Sequence, residues 1–217
     1  MSRLPEAGSA GAPASSVAPG TAWSLVLARG ILALAMGLLV TFTADHSWAL
    51  GGLALAIYAL SGVPLLLAIR RDPLDAATRP LRLAHAVATL LVLVAALASL
   101  ALPGSLLWIA IGFALVTGAL ELAAGLRGRG RVHAARDWVV AGGLTLLLGL
   151  ALLLVPADLA QPFVGDEGNR GVLTSALFVA GLLGAWGVLL GVLLSISAVS
   201  LRGDARPAAA SAPEPGA

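Results

Sequence analysis

Six long apolar segments, separated by short polar loops, make up most of this 217-residue sequence. A helix needs roughly 20 apolar residues to cross the hydrocarbon core of a bilayer, and only helices or closed barrels can cross it. Barrel strands would alternate apolar and polar residues, and these segments do not. The sequence therefore predicts six transmembrane helices, over residues 22–43, 48–69, 83–102, 105–126, 138–155 and 172–201.

The composition supports lipid as the solvent of this chain. Hydrophobic residues make up 59% of the sequence and charged residues only 11%, whereas soluble domains contain about 25% charged residues. We predict an all-α, polytopic membrane domain over residues 22–202. The tails, residues 1–21 and 203–217, are rich in Ala, Gly, Ser and Pro, and we expect both to be disordered because they cannot bury enough apolar surface.

The distribution of arginine predicts the orientation in the membrane. All 13 basic residues are arginines, and 11 of them lie in the tails or in the loops after the second and fourth segments. Arg170 lies on the opposite side and Arg29 lies inside the first segment. Because basic loops stay in the cytoplasm, we expect three hairpins with both termini cytoplasmic.

The high isoelectric point of 10.4 does not indicate nucleic-acid binding. The arginines form short clusters between apolar segments rather than one basic surface. We therefore expect the lipid bilayer as the main partner and no nucleic acid. The sequence identifies no protein partner.

The three hairpins are predicted to be repeats of one unit. A shift of about 56 residues places Ser61-Gly62 of the second segment on Thr117-Gly118 of the fourth, and twice that shift places Gly30 on Gly142. Parallel repeats of this kind are related by an axis along the membrane normal.

Small residues recur at helical spacing and predict close helix packing. In lipid, small faces let helix backbones approach each other. We favour packing within one chain, and self-association into a homo-oligomer is the alternative. The packing residues are predicted to be Gly30, Gly37, Gly62, Gly118, Gly184, Gly187 and Gly191.

Three polar residues with charged or titratable side chains lie inside the apolar segments: Arg29, His85 and Glu121. A charge costs roughly 2.5–3.5 kcal/mol at mid-membrane on insertion scales. Arg29 lies six residues after Trp23 and Glu121 six residues before Arg127, so the two have similar depths. We expect Arg29 to pair with Glu121, near His85, if the first and fourth helices are adjacent. The cluster is either a static ion pair that fixes helix register, which we favour, or a proton-responsive group.

No motif indicates catalysis or a cofactor. The sequence has no cysteine, which excludes disulfides and thiolate sites. It contains no H-E-x-x-H, G-x-S-x-G or G-x-x-x-x-G-K pattern. We therefore expect no catalytic, cofactor or metal site, and no enzymatic activity. The acidic loop at 156–171 matches no calcium-binding pattern and is expected to be solvated, and Pro64 is expected to be a packing device rather than a kink.

Several short motifs, mostly of glycine and aliphatic residues, lie along the chain: Trp23, Arg29-Gly30-Ile31, Gly37-Leu38-Leu39, Ser61-Gly62, Gly118-Ala119-Leu120-Glu121-Leu122, Trp138, Gly142-Gly143-Leu144, Gly149-Leu150 and Pro156. Their arrangement resembles that of the HdeD-like family of bacterial membrane proteins. The resemblance covers roughly residues 22–202 and departs from the family pattern at Gly184-Ala185-Trp186-Gly187 and in the longer 156–171 loop.

This resemblance implies a six-helix protein of the bacterial cytoplasmic membrane that protects the cell envelope under acid stress, without a catalytic mechanism. The alternative is a small proton-coupled transporter or channel, with Arg29, His85 and Glu121 around a polar path. The small number of polar groups within the membrane disfavours that alternative.

Overall fold

The computed structural model describes residues 22–71, 76–102, 104–132, 134–164 and 170–210. Six apolar helices long enough to cross a bilayer lie within these residues, with α2 and α3 together forming the second span. The predicted all-α, six-span architecture is confirmed. The elements are α1 (Ala22–Phe42), α2 (Trp48–Ala59), α3 (Gly62–Arg71), α4 (Arg79–Ala98), α5 (Ser105–Gly128), α6 (Ala135–Leu153), β1 (Ala160–Val164), β2 (Arg170–Thr174) and α7 (Ser175–Ala210).

The second span is broken between α2 and α3, so the prediction of one continuous helix there is wrong. Pro64 has no N–H to donate to the carbonyl of Leu60 four residues earlier. That carbonyl instead accepts a 3.0 Å hydrogen bond from the amide of Val63, and the amide of Ser61 donates to Tyr58 over 2.8 Å. Both are tight three-residue turns, so Pro64 breaks the helix here rather than only filling space.

The segment before the last helix also differs from the prediction. Residues 172–174, expected to begin the sixth helix, instead belong to β2, which pairs antiparallel with β1 in a register that places Pro162 opposite Val172. The expected solvated loop therefore contains part of a β-hairpin. A short apolar run does not distinguish a strand from a helix by periodicity alone.

Several helix boundaries differ from the predicted ones, most of all at α4 and α7. Helix α4 begins four residues before the predicted position 83, with Pro80 in its first turn, where the missing N–H of proline costs nothing. Helix α7 continues past position 202 to Ala210. The predicted tail at 1–21 and residues 211–217 lie outside the described residues.

The helices form a closed ring in the order α1, α2–α3, α4, α5, α6 and α7, with α7 packed against α1. The second helix of each hairpin lies inside, because α2, α5 and α7 also contact one another. The inner spans are 56, 50 and 50% buried, against 33, 22 and 33% for α1, α4 and α6. Each hairpin thus contributes one outer and one inner helix.

Three equivalent crossings relate the hairpins by a pseudo-threefold axis. At each crossing, the outer helix of one hairpin packs against the inner helix of the preceding hairpin. A small residue of one helix contacts a small residue of the other. A Cβ atom on Gly191, for example, would lie 2.9 Å from the carbonyl oxygen of Gly30. These inter-repeat crossings pair Gly30 with Gly191, Ala86 with Gly62, and Gly142 with Gly118.

Residue spacing matches this symmetry. Gly30, Ala86 and Gly142 are each 56 residues apart, as are Gly62 and Gly118. Gly191 follows Gly118 by 73 residues, because the segment with the β-hairpin is inserted between the two helices of the third hairpin. The structure therefore contains the threefold repeat that the sequence predicts.

The predicted packing glycines all lie in contacts within the chain. Besides the crossing residues, Gly37, Gly184 and Gly187 lie in the α1–α7 contact, where a Cβ atom on Gly187 would approach the carbonyl oxygen of Ala33 to 2.9 Å. These contacts lie within one chain, as the favoured interpretation expects, and self-association into a homo-oligomer stays a prediction.

Adjacent glycines of α6 provide a matched test of the crossings. A methyl group at Gly142 would overlap the backbone nitrogen of Leu122 and lie 2.9 Å from the carbonyl oxygen of Gly118, whereas one at Gly143 meets nothing within 4 Å. We expect Gly142→Ala to lower the free energy of unfolding by about 1–3 kcal/mol. Gly143→Ala should raise it by up to about 1 kcal/mol, since alanine favours helix. Reversible unfolding in mixed micelles measures both, and equal effects would contradict the crossing.

Candidate functional site

Arg29 and Glu121 form an ion pair in the interior of the bundle. Glu121 lies seven residues before the end of α5, about 10 Å from that end at roughly 1.5 Å per residue. Arg29 is 6% exposed and Glu121 is 4% exposed. The Arg29 Nη2 atom donates to Glu121 Oε2 over 2.8 Å, and Nη1 donates to Oε1. Paired donation of this kind is the strong geometry for arginine and carboxylate.

The expected pairing is thus present, but the helix adjacency assumed for it is wrong. The ring places α7 and α2–α3 beside α1, and α4 and α6 beside α5. Arg29 pairs with α5 because its long side chain extends through the interior of the bundle. Similar depth and opposite charge identified the correct partner, although the adjacency assumed together with them was wrong.

Tyr58, which was not predicted to belong to the site, is the third partner of the Arg29 guanidinium. Its hydroxyl accepts hydrogen bonds from Arg29 Nε over 3.2 Å and from Nη2 over 3.0 Å. Tyr58 is 1% exposed and lies in the last turn of α2, next to the helix break. The available signal was that Tyr58 is the single tyrosine of the sequence and precedes Phe113 by 55 residues, close to the repeat length.

One aromatic residue from each inner helix meets at the centre of the bundle. Tyr58, Phe113 and Trp186 pack edge to face, with ring centroids 5.7, 4.7 and 5.5 Å apart, an arrangement that the quadrupoles of aromatic rings favour. The indole N–H of Trp186 donates to the hydroxyl of Thr145 over 3.3 Å. These three rings, the aromatic triangle, separate the ion pair from a buried apolar layer that includes Leu55, Leu107, Leu152 and Leu183.

A cavity of about 60 Å³ lies beside the ion pair. It extends from Glu121 toward the helix ends that carry the arginine-rich loops (the arginine-rich face), because its walls include residues in the first turns of α4 and α6. His85 is 3% exposed and lines this cavity together with Glu121, so the two residues predicted to lie at one depth share one space. The polar lining residues are Arg29, Arg82, His85, Glu121, Asp137 and Ser197.

Arginine and tryptophan stack at the arginine-rich face. The guanidinium carbon of Arg82 lies 4.3 Å from the ring centroid of Trp138, and that of Arg202 lies 4.9 Å from the ring of Trp23. Cations over indole rings are stabilised by the ring quadrupole, and tryptophan is enriched where a bilayer meets water. The second stack brings the start of α1 next to the end of the last span.

The chemistry available at this site is proton exchange and hydrogen bonding. Within the part of the chain that the structure describes, no three His, Asp or Glu side chains are grouped to hold a metal ion. Protonation of Glu121 would leave Arg29 as an uncompensated buried cation, which is costly in a low-dielectric interior. The state of one carboxyl group therefore controls the balance of charge at the centre of the bundle.

Comparisons of the chain with protein-family models, with curated proteins and with solved structures give no match.

A double-mutant cycle tests the ion pair. Arg29→Leu and Glu121→Leu should each lower the free energy of unfolding by about 3–5 kcal/mol, because each leaves one buried charge unpaired. The double variant should lose clearly less than the sum, with a coupling energy above about 1 kcal/mol. The measurement is unfolding in mixed micelles, and strict additivity would show that the two charges do not interact.

Tyr58→Phe isolates the third partner, since it keeps the ring in the aromatic triangle and removes only the acceptor oxygen. We expect a loss of about 1–3 kcal/mol in the free energy of unfolding, the range for leaving buried polar groups unsatisfied. In an Arg29→Leu background that loss should disappear because the donors are gone. A cost that persists there would mean that the hydroxyl acts through another group.

Proposed function

We propose that this chain is a non-enzymatic, multi-pass protein of the bacterial cytoplasmic membrane that acts in the response to acid stress. The observation that carries the proposal is the buried ion pair of Arg29 and Glu121, which borders a cavity at the arginine-rich face together with His85. Carboxylate and imidazole groups exchange protons between acidic and neutral pH. Besides Tyr58, the other buried polar side chains among the described residues are serines and threonines, which do not titrate in this range.

The orientation follows from charge. Because arginine-rich loops are retained in the cytoplasm, the cavity would face the cytoplasm and both termini would lie there. A fall in cytoplasmic pH, the lasting effect of severe acid stress on a cell, would then reach Glu121 from the side on which the cavity lies.

Acid would act on the packing of the bundle through the ion pair. Once Glu121 is protonated, Arg29 keeps its charge but loses its counter-charge, and an unpaired cation is expensive in a bilayer. The bundle would then rearrange or admit water around Arg29. This gives a membrane protein with no catalytic chemistry a direct physical response to acid.

The resemblance to the HdeD-like family supports the same role. Its motif residues include Arg29 and Glu121 of the ion pair and Gly30, Gly118 and Gly142 of the inter-repeat crossings. The resemblance therefore rests on residues with identifiable physical roles in this chain rather than on scattered apolar positions.

Survival of a deletion strain in acid tests the proposal. Wild-type protein should restore survival, and Glu121→Gln at matched membrane levels should not, because the amide cannot carry the charge that pairs with Arg29. Asp45→Asn, in the loop on the opposite side, is the matched control and should restore survival. Deletion without any effect in acid would remove the stress role and leave only the fold.

A proton-coupled transporter is the second candidate, and the cavity on the pseudo-threefold axis favours it. A transporter would move protons across proteoliposomes at a rate that falls in the Glu121→Gln variant. The leading proposal requires acid sensitivity with no such flux, since the aromatic triangle closes the path beyond the cavity.

A further inference from the structure

The cavity beside the ion pair is built from equivalent positions of all three repeats. Leu65, Glu121 and Leu194 occupy one such position, since each follows its crossing glycine by three residues, and all three line the cavity. Ala68, Ala124 and Ser197 line the next layer toward the arginine-rich face. The cavity therefore lies on the pseudo-threefold axis, where the inner helices cannot close completely around small side chains.

The deep end of this cavity contains polar groups whose hydrogen-bonding capacity is not fully used by the described residues. The imidazole of His85 is 3% exposed, lines the cavity and makes no hydrogen bond to another described residue. A guanidinium has five N–H donors, and four of those on Arg29 point to Glu121 and Tyr58. One donor on Nη1 is left over, beside a carboxylate that can accept more than two hydrogen bonds.

We propose that the cavity is a binding site for a short chain of ordered water molecules. The chain would run from the arginine-rich face past His85 and end at the ion pair of Arg29 and Glu121. A water molecule needs roughly 10–15 Å³ of such space and two to four polar partners. The cavity of about 60 Å³ has room for a few waters, and Arg29, His85 and Glu121 supply the partners at its deep end.

The water would stop at the ion pair, since the rings of Tyr58, Phe113 and Trp186 pack together beyond it and do not line the cavity. Leu55, Leu107 and Leu183 are fully or almost fully buried on the far side, and apolar spaces of this kind remain dry. Water thus gives Glu121 contact with one side of the membrane only. The water site exists whether or not the protein acts in acid stress.

Radiolytic hydroxyl-radical labelling of the full-length protein in nanodiscs tests this site, because radicals formed from bound water oxidise the side chains next to it. The structure supplies residue pairs of the same exposure. Leu194 and Leu148 are both 5% exposed, and Leu65 and Ile111 are both 8% exposed, but only the first of each pair lines the cavity.

We expect Leu65 and Leu194 to be oxidised several-fold faster than Leu148 and Ile111, with oxygen derived from isotopically labelled solvent water. Equal and slow oxidation of all four would show that the cavity is dry and would overturn the proposal. Equal and fast oxidation would show water throughout the bundle and would overturn the one-sided arrangement.

The absence of cysteine from the chain allows a second measurement of sidedness. The variants Ser197→Cys, in the cavity, and Ala110→Cys, beyond the aromatic triangle, are exposed to Ag⁺ in membrane vesicles of either orientation. Later labelling with maleimide reports the thiols that Ag⁺ left free. Ag⁺ should protect only the thiol at 197, and only from the arginine-rich face. Protection from the opposite face, or of both thiols, would contradict the proposed water chain.

Discussion

Three helix crossings, at which small residues bring backbones into contact, hold the arrangement on which every other feature of this bundle depends. Apolar surface gives no driving force between helices in lipid, so close packing has to supply it. This close packing occurs at equivalent places in the three repeats, between Gly142 and Gly118, Gly30 and Gly191, and Gly62 and Ala86. Because each crossing joins one repeat to the next, the third joins the end of the chain to its beginning. The helices therefore form a closed ring, and the cavity lies on the pseudo-threefold axis at its centre.

The symmetric scaffold carries an asymmetric set of side chains. Arg29 and His85 occupy the same position in successive repeats, and Ala141 occupies it in the third. Glu121 has leucine at both of its equivalent positions, 65 and 194. One cation and one anion thus stand where the symmetry would allow three of each. A single pair with Tyr58 as a further acceptor satisfies its charges inside the bundle, whereas three like charges around one axis would repel one another in a low-dielectric interior.

The features that could be predicted from the sequence are those that the bilayer requires. Segment length predicted six spans, and the cost of a buried charge, together with similar depth, predicted that Arg29 meets Glu121. The remaining features depend on local geometry or on side-chain contacts between distant helices. The break beside Pro64 depends on which carbonyl accepts from another donor. Residues 172–174, predicted as helix, belong to strand β2, because the composition of this short run fits both structures. Tyr58 and Trp186 are aromatic residues within apolar segments, and only the tertiary structure brings them together. No local sequence pattern therefore predicts them as neighbours of the ion pair.

The aromatic triangle connects the charge state of the site to the packing of the whole bundle. Tyr58 belongs to both, since its hydroxyl accepts from Arg29 and its ring packs on Phe113 and Trp186. Each of these rings comes from a different inner helix, and the Trp186 N–H reaches Thr145 on α6. A movement of the guanidinium toward water, as would follow loss of its counter-charge, would therefore act on all three repeats at once. Tyr58 lies next to the helix break, where three-residue turns replace the regular hydrogen bonds of the second span. Under the proposed function, a proton taken up by Glu121 would therefore change the packing of three hairpins through these contacts.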